Sequence, residues 1–114
     1  VEDPPVDAAV SCEEVFGPVV TVQRYGEFEE ALDAVNDSRF GLQAGLFTHD
    51  VRKIHLALER LEVGGLIVNE APTFRMDNYP YGGVKESGLG REGSKYGIDD
   101  YLEITYLCMG GVNN

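Results

Sequence analysis

Two short apolar runs, "LQAGLFT" (Leu42–Thr48) and "LIVNE" (Leu66–Glu70), flank a stretch whose apolar residues recur at helical spacing. This alternation of period constrains the fold more than any other feature. A strand, a helix and a second strand in sequence can share one sheet only through a crossover, and such crossovers are right-handed and join parallel strands. In the intervening stretch Val51, Ile54, Leu58 and Leu61 share one face and Arg52, Lys53, Glu59 and Arg60 the other. This predicts an amphipathic helix, capped by Thr48 or Asp50 and stopped at Gly64-Gly65. "LIVNE" is continuously apolar, as strands buried on both faces are.

The same grammar extends upstream. "VVTVQRY" (Val19–Tyr25) is β-branched and aromatic and is entered through Gly17-Pro18, which predicts a strand. Phe28, Ala31, Leu32 and Val35 then mark a helix over Phe28–Val35, ended by the turn formers of "NDSRFG". The expected fold class is therefore α/β, a βαβαβ unit on a parallel sheet. Beyond it, "APTFRMDNYPYGGVKESGLGREG" is too irregular for a regular element and too long for a plain connector, so it is a candidate functional loop. A short helix over Ser94–Tyr101 and a terminal strand over Leu102–Met109 complete the expectation. An apolar terminal strand exposes an edge that something must pair with.

A chain of 114 residues is expected to form one domain with one core, burying about two-thirds of its unfolded surface. A net charge of -11, from nine basic and twenty acidic residues, excludes binding to a phosphate backbone. No apolar run approaches the ~20 residues that span a bilayer. Two distant cysteines, Cys12 and Cys108, do not make a disulfide framework, which predicts a cytoplasmic location. They read as a loop residue and a strand-core residue. The opening "VEDPPVDAAV" starts without Met or targeting logic and reads as part of something longer.

Few motifs carry chemistry by spacing alone. "GLGREG" (Gly88–Gly93) matches G-x-G-x-x-G letter for letter, but the glycines follow "VKES" and the acidic residue about twenty positions on would fall at the chain end. Tight loop packing explains them better than dinucleotide binding. "GGVKES" lacks the spacing of a phosphate-binding loop. His49 and His55 are six apart without a Cys or acidic partner at ligand spacing, so they read as solvated and no metal is expected. No nucleophile is legible. "CEEVFGPVV" (Cys12–Val20) admits two readings: a solvated loop with Phe16 as a hydrophobic plug, or a ligand site in which a carboxylate accepts from vicinal hydroxyls beside an aromatic face.

"EEVFGPVV" resembles the E-E-[IV]-F-G-P segment of the aldehyde dehydrogenase superfamily. "PYGGVKESGLGREGSKYGIDDYLE" (Pro80–Glu103) is similar to that family's C-terminal pattern P-[FY]-G-G-x-K-x-S-G-x-G-R-E. "FGLQAGLFTHD" and "GGLIVNEAP" follow it in the same order, and the ending is nearest to those of succinate-semialdehyde dehydrogenase-like members. The resemblance implies that residues 1–101 are the C-terminal part of a catalytic domain and residues 102–114 an oligomerisation strand and tail. It implies an enzyme that oxidises an aldehyde to a carboxylic acid with NAD or NADP. Glu14 would then hydrogen-bond the nicotinamide ribose and Phe16 pack near the ring, with Glu13 a solvated neighbour. Tyr81 would form an aromatic wall of the aldehyde tunnel, which the Thr73–Met76 loop, with Phe74, borders. Arg75 could meet an anionic substrate or form a salt bridge. The strand Leu102–Met109 would join a neighbouring subunit in a homo-oligomer. The family's nucleophilic cysteine and general-base glutamate lie upstream of such a segment, so a chain of this sequence alone is expected to be inactive. A stand-alone oligomerisation module without catalysis is the alternative, and the upstream reading frame separates the two.

Overall fold

A computed structural model describes residues 1–111. The elements in chain order are α1 (Ala9–Cys12), α2 (Phe28–Asn36), β1 (Phe40–Gly41), β2 (Gln43–Leu46), α3 (Val51–Arg60), β3 (Gly65–Val68), β4 (Val84–Lys85) and α4 (Ser94–Gly97), with a 3₁₀ turn at Ile98–Tyr101. β2 and β3 pair in parallel, Gln43 beside Gly65 and Leu46 beside Val68, and α3 crosses between them. The central strand–helix–strand unit is thus as expected. β1 and β4 form a second, antiparallel pair with Phe40 opposite Lys85, which no periodicity announced because each strand is two residues long.

Local chemistry explains where the helices begin. At α2, Glu27 and Glu30 form a reciprocal capping box. The Glu30 carboxylate accepts from the Gly26 and Glu27 N–H groups at 3.1 and 3.2 Å, answering two donors that helix geometry leaves orphaned. At α3 the cap is Asp50, whose side chain accepts from the Arg52 N–H at 2.9 Å. The Arg52 side chain, then its backbone N–H, hold the Asp50 carboxyl below its ordinary 3.8.

The stop of α3 differs from expectation. The helix ends at Arg60, four residues before Gly64, with Leu61 extended. The Glu62 N–H, which a longer helix would direct to the Leu58 carbonyl, donates instead to Asn36 Oδ1 at 2.9 Å. Gly64 has a different task. A Cβ there would collide with the Gly82 carbonyl and lie 3.0 Å from the Leu42 carbonyl, so the strand entry passes between two other backbone segments.

Asn36 and Lys85 join the ends of both helices to β4. Asn36 Nδ2 donates to the Arg60 carbonyl at 2.7 Å, while Lys85 Nζ donates to the carbonyls of Asn36 (2.6 Å) and Ser38 (3.0 Å) and meets Glu62 Oε2 at 2.9 Å. A cation at a helix C-terminus also complements the negative end of the dipole. Between the helices, Arg60 pairs with Asp33, and Lys53 sits 5.2 Å above the Phe28 ring.

The expected large core is not there. Among the described residues the buried apolar side chains are Pro4, Leu32 and Ala57. On α3 the covered apolar side chains are Ile54, Leu56 and Ala57, while Val51 and Leu58 of the predicted face stand 62% and 65% exposed. The accessible surface is 9282 Å² against about 6,200 Å² for a compact monomer of this mass. The radius of gyration is 19.7 Å against about 13 Å.

Two predicted strands are absent for the same reason. Val19–Tyr25 makes one isolated bridge, Val22 with Glu2, and 102–111 carry no regular structure. β-branched sequence favours a pleated surface, but a strand exists only where another strand takes its hydrogen bonds. Ile104, Tyr106 and Leu107 are therefore almost fully exposed, and Cys108 is exposed and not core. Cys12 ends α1 and does not lie in a loop. The last three positions of the predicted 102–114 segment lie outside the described residues. Among those described, no helix is long and apolar enough to cross a membrane.

Asn36→Ala removes two hydrogen bonds from a half-buried junction and is expected to lower stability by about 2 kcal/mol, read as the shift of the urea unfolding midpoint. Asp50→Asn keeps a capping oxygen and loses the charge. Because the folded Asp50 pKa is depressed, its ionic contribution is full above the unfolded pKa and disappears as pH falls through the folded value. The stability difference between wild type and Asp50→Asn should therefore hold at neutral pH and close below about pH 4, followed by thermal melts across that range.

Candidate functional site

β4 is short, yet both groups of candidate site residues depend on it. Glu86 follows the strand and Tyr81 precedes it by three residues. On the Glu86 side, Arg39 bridges two carboxylates, Glu13 at 2.9 Å and Glu86 at 3.3 Å. The Arg39 carbonyl also accepts from the Glu86 N–H at 3.1 Å, and its guanidinium lies 4.8 Å over the Phe40 ring. Exposed ion pairs of this kind contribute little stability. Their effect here is positional: they tether the "CEEVFGPVV" loop to the end of β4. Glu13 is therefore not merely solvated, as its sequence context suggests.

Glu14 and Phe16 lie on that tethered loop. Two tight turns follow, Gly17 N–H to the Val15 carbonyl and Val19 N–H to the Gly17 carbonyl, each 2.8 Å. Phe16 is 92% exposed. Among the described residues, Glu14 makes no side-chain hydrogen bond or ion pair, so its carboxylate lone pairs remain available. A carboxylate and an open aromatic ring two residues apart are the kinds of group that a ribose hydroxyl pair and a flat ring would take.

On the Tyr81 side, Arg75 pairs with Glu92 at 2.9 Å and stacks over the Tyr81 ring at 4.3 Å. Tyr81 and Glu92 exchange backbone hydrogen bonds in both directions, at 3.0 and 2.6 Å. Of the predicted substrate residues the fold thus brings Arg75 and Tyr81 together. Phe74 is 44% exposed and is held through its carbonyl, which accepts from Gln43 Nε2 of β2 at 3.3 Å. Beside Tyr81 an open hollow of about 540 Å³ is bordered by Gly88, Arg91, Glu92, Asp100 and Tyr101.

"GLGREG" forms part of that border as packing glycines. Gly88, Gly90 and Gly93 have φ of 140°, 72° and 102°, the strand upstream of them, β4, is two residues long and antiparallel, and the helix that leaves is four residues long. A Cβ on Gly90 would strike the Asp100 carboxylate, which accepts the Arg91 N–H at 3.3 Å. Arg91 Nη1 donates to the carbonyls of Gly83 and Gly90 at 2.9 and 2.7 Å. His49 and His55 are exposed, as their solvated reading has it.

The residues missed from sequence are Arg39, Glu86 and Glu92. Each acts through a partner at least seventeen positions away. The local signal for Glu86 and Glu92 is that both lie in the loop already singled out for its composition.

Residues 1–107 match the aldehyde dehydrogenase family. Over 103 residues the chain is 53% identical to a 3-sulfolactaldehyde dehydrogenase of Priestia aryabhattai, covering 90% of this chain and 22% of that protein. The structure matches the crystal structure of aldehyde dehydrogenase 21 from Physcomitrella patens in complex with the reaction product succinate. The TM-score is 0.85 at 50% identity, over 90% of this chain and 21% of the other. It also matches a glyceraldehyde-3-phosphate dehydrogenase of Methanocaldococcus jannaschii complexed with NADP, with a TM-score of 0.70 at 46% identity, over 75% and 18%. The chain spans about a fifth of the length of these relatives.

Proposed function

The chain belongs to the aldehyde dehydrogenase family, and from that premise we propose that it completes the cofactor and substrate sites of an NAD(P)-dependent enzyme oxidising an anionic aldehyde to a carboxylic acid. The observation that carries the anionic preference is Arg75, held over the ring of Tyr81 and paired with Glu92, two residues that border the glycine-lined hollow. A guanidinium has five donors in a planar fork that fits carboxylate, sulfonate or phosphate oxygens two at a time. The similar proteins named above are consistent with this: one is named for a sulfonated aldehyde, one holds succinate, and one is named for a phosphorylated aldehyde.

Glu14 would accept from the nicotinamide ribose and Phe16 would pack beside the ring, which would orient that end of NAD or NADP. Bound there, the nicotinamide would supply the hydride acceptor for the oxidation. Phe74 and Tyr81 wall the path of the aldehyde and Arg75 holds its distal anion, which leaves the carbonyl end facing the chemistry. The family resemblance implies that the nucleophilic cysteine and general-base glutamate lie upstream of such a segment, and neither Cys12 nor Cys108 stands in a nucleophile motif, so activity on this reading belongs to the intact enzyme and not to this chain alone. The apolar run Leu102–Met109 adds to a neighbouring subunit's sheet in a homo-oligomer, where its exposed residues find cover. The enzyme works in the cytoplasm.

In an intact dehydrogenase carrying this segment, Glu14→Gln should slow hydride transfer more than it weakens cofactor binding, because nicotinamide placement counts most in the transition state. Single-turnover rates equal to wild type would refute the assignment. Arg75→Gln should raise KM for an aldehyde bearing a carboxylate by roughly tenfold to a hundredfold relative to an uncharged aldehyde of equal length, the range of one charge-assisted contact. Steady-state kinetics on the two substrates checks it.

A further inference from the structure

We propose that Glu92 is a positioning residue that sets the preference for anionic aldehydes by holding the Arg75 guanidinium over the Tyr81 ring. The inference rests on the reading of Arg75 as the partner of the substrate's anion. Two surfaces hold the guanidinium, a carboxylate at 2.9 Å and an aromatic face at 4.3 Å. They belong to one unit, because Tyr81 and Glu92 exchange both backbone hydrogen bonds and form the isolated bridge of this loop.

The unit is also fixed on both flanks of Glu92. Arg91 is tied to the Gly83 and Gly90 carbonyls, and Gly93 lies so close to Tyr79 that a Cβ would come within 2.5 Å of its carbonyl. Carboxylate and ring therefore move together, and Arg75 between them is confined to one orientation. Glu92 engages one terminal nitrogen of the guanidinium, and among the described residues no other acceptor is bonded to the Arg75 side chain. A remaining edge can accept an anion two oxygens at a time.

An ion pair in which the side chains are 44% and 70% exposed has little value for stability. Its value lies in orientation. An unpaired arginine on a loop spreads over many rotamers, and confining it before the substrate arrives removes that cost from binding. Glu92 also repels the incoming anion, but at this exposure that repulsion is screened more strongly than a directional contact is. Orientation is therefore the larger effect.

The test uses an intact dehydrogenase carrying this segment, with a carboxylate-bearing aldehyde and an uncharged aldehyde of equal length. Glu92→Ala should raise KM for the anionic aldehyde roughly threefold to tenfold, the fold-change of ordering one rotamer-rich side chain, and lower the anionic-to-uncharged ratio of kcat/KM by the same factor. Glu92→Gln, which keeps an acceptor for Arg75, should recover most of that loss. In an Arg75→Gln background, Glu92→Ala should lower the ratio no further. A lower KM for the anion in Glu92→Ala would make Glu92 a competitor and overturn the proposal. So would an equal loss for both aldehydes, or a Glu92→Gln defect as large as that of alanine in protein with a wild-type melting temperature. If Arg75→Gln itself leaves the ratio as it was, the reading of Arg75 falls. If it moves the ratio and Glu92→Ala does not, only the role of Glu92 falls.

Discussion

The junction of Asn36 and Lys85 is the constraint on which the rest of the chain depends. Two helix C-termini meet there, and their carbonyls would otherwise be unanswered. Lys85 collects two carbonyls and a carboxylate, while Asn36 uses both ends of its amide to bind the chain leaving α3. The cation sits on β4, so the same contact that closes the helices also places that strand beside β1. Lys85 holds φ at 54°, a left-handed conformation that non-glycine residues rarely adopt. Such a conformation persists where surrounding contacts over-determine it, and this side chain has three partners.

From β4 the site follows by short steps. Glu86 engages Arg39 and through it the loop of Glu14 and Phe16, while Tyr81 pairs with Glu92 and through it Arg75. Glycines 64 and 82 let the strand entry and the site loop cross at backbone contact, which no side chain could share. Most of the ion pairs are exposed and weak as sources of stability. They act as ties between loops that little burial holds, a role suited to a segment with so few buried apolar side chains among its described residues.

Legibility followed the range of the interaction. The β2–α3–β3 unit, the extent of α2 to within one residue, the Asp50 cap and the irregular character of the Tyr81 loop were all readable, because apolar period, capping chemistry and turn residues act within a few positions. The stop of α3 was not, because Asn36 ends the helix from twenty-six positions away. Nor was the outward turn of Leu58, since period identifies an apolar face without identifying what covers it. Val19–Tyr25 and 102–109 have the composition of strands and here lack the neighbours that make one. For Arg75 the sequence admits either a substrate contact or a salt bridge, and the fold gives it the salt bridge with Glu92.

By itself the sequence determined the α/β class, the parallel crossover, the family and the loops where a site could lie, since these rest on local period, composition and contiguous motifs. Tertiary structure alone decided which charges meet: Glu13 with Arg39, Arg75 with Glu92, and Lys85 with the ends of both helices. The physical reason is that charge pairing has no period. A carboxylate's partner is set by the distance between folded segments, and that distance exists only once the backbone has closed.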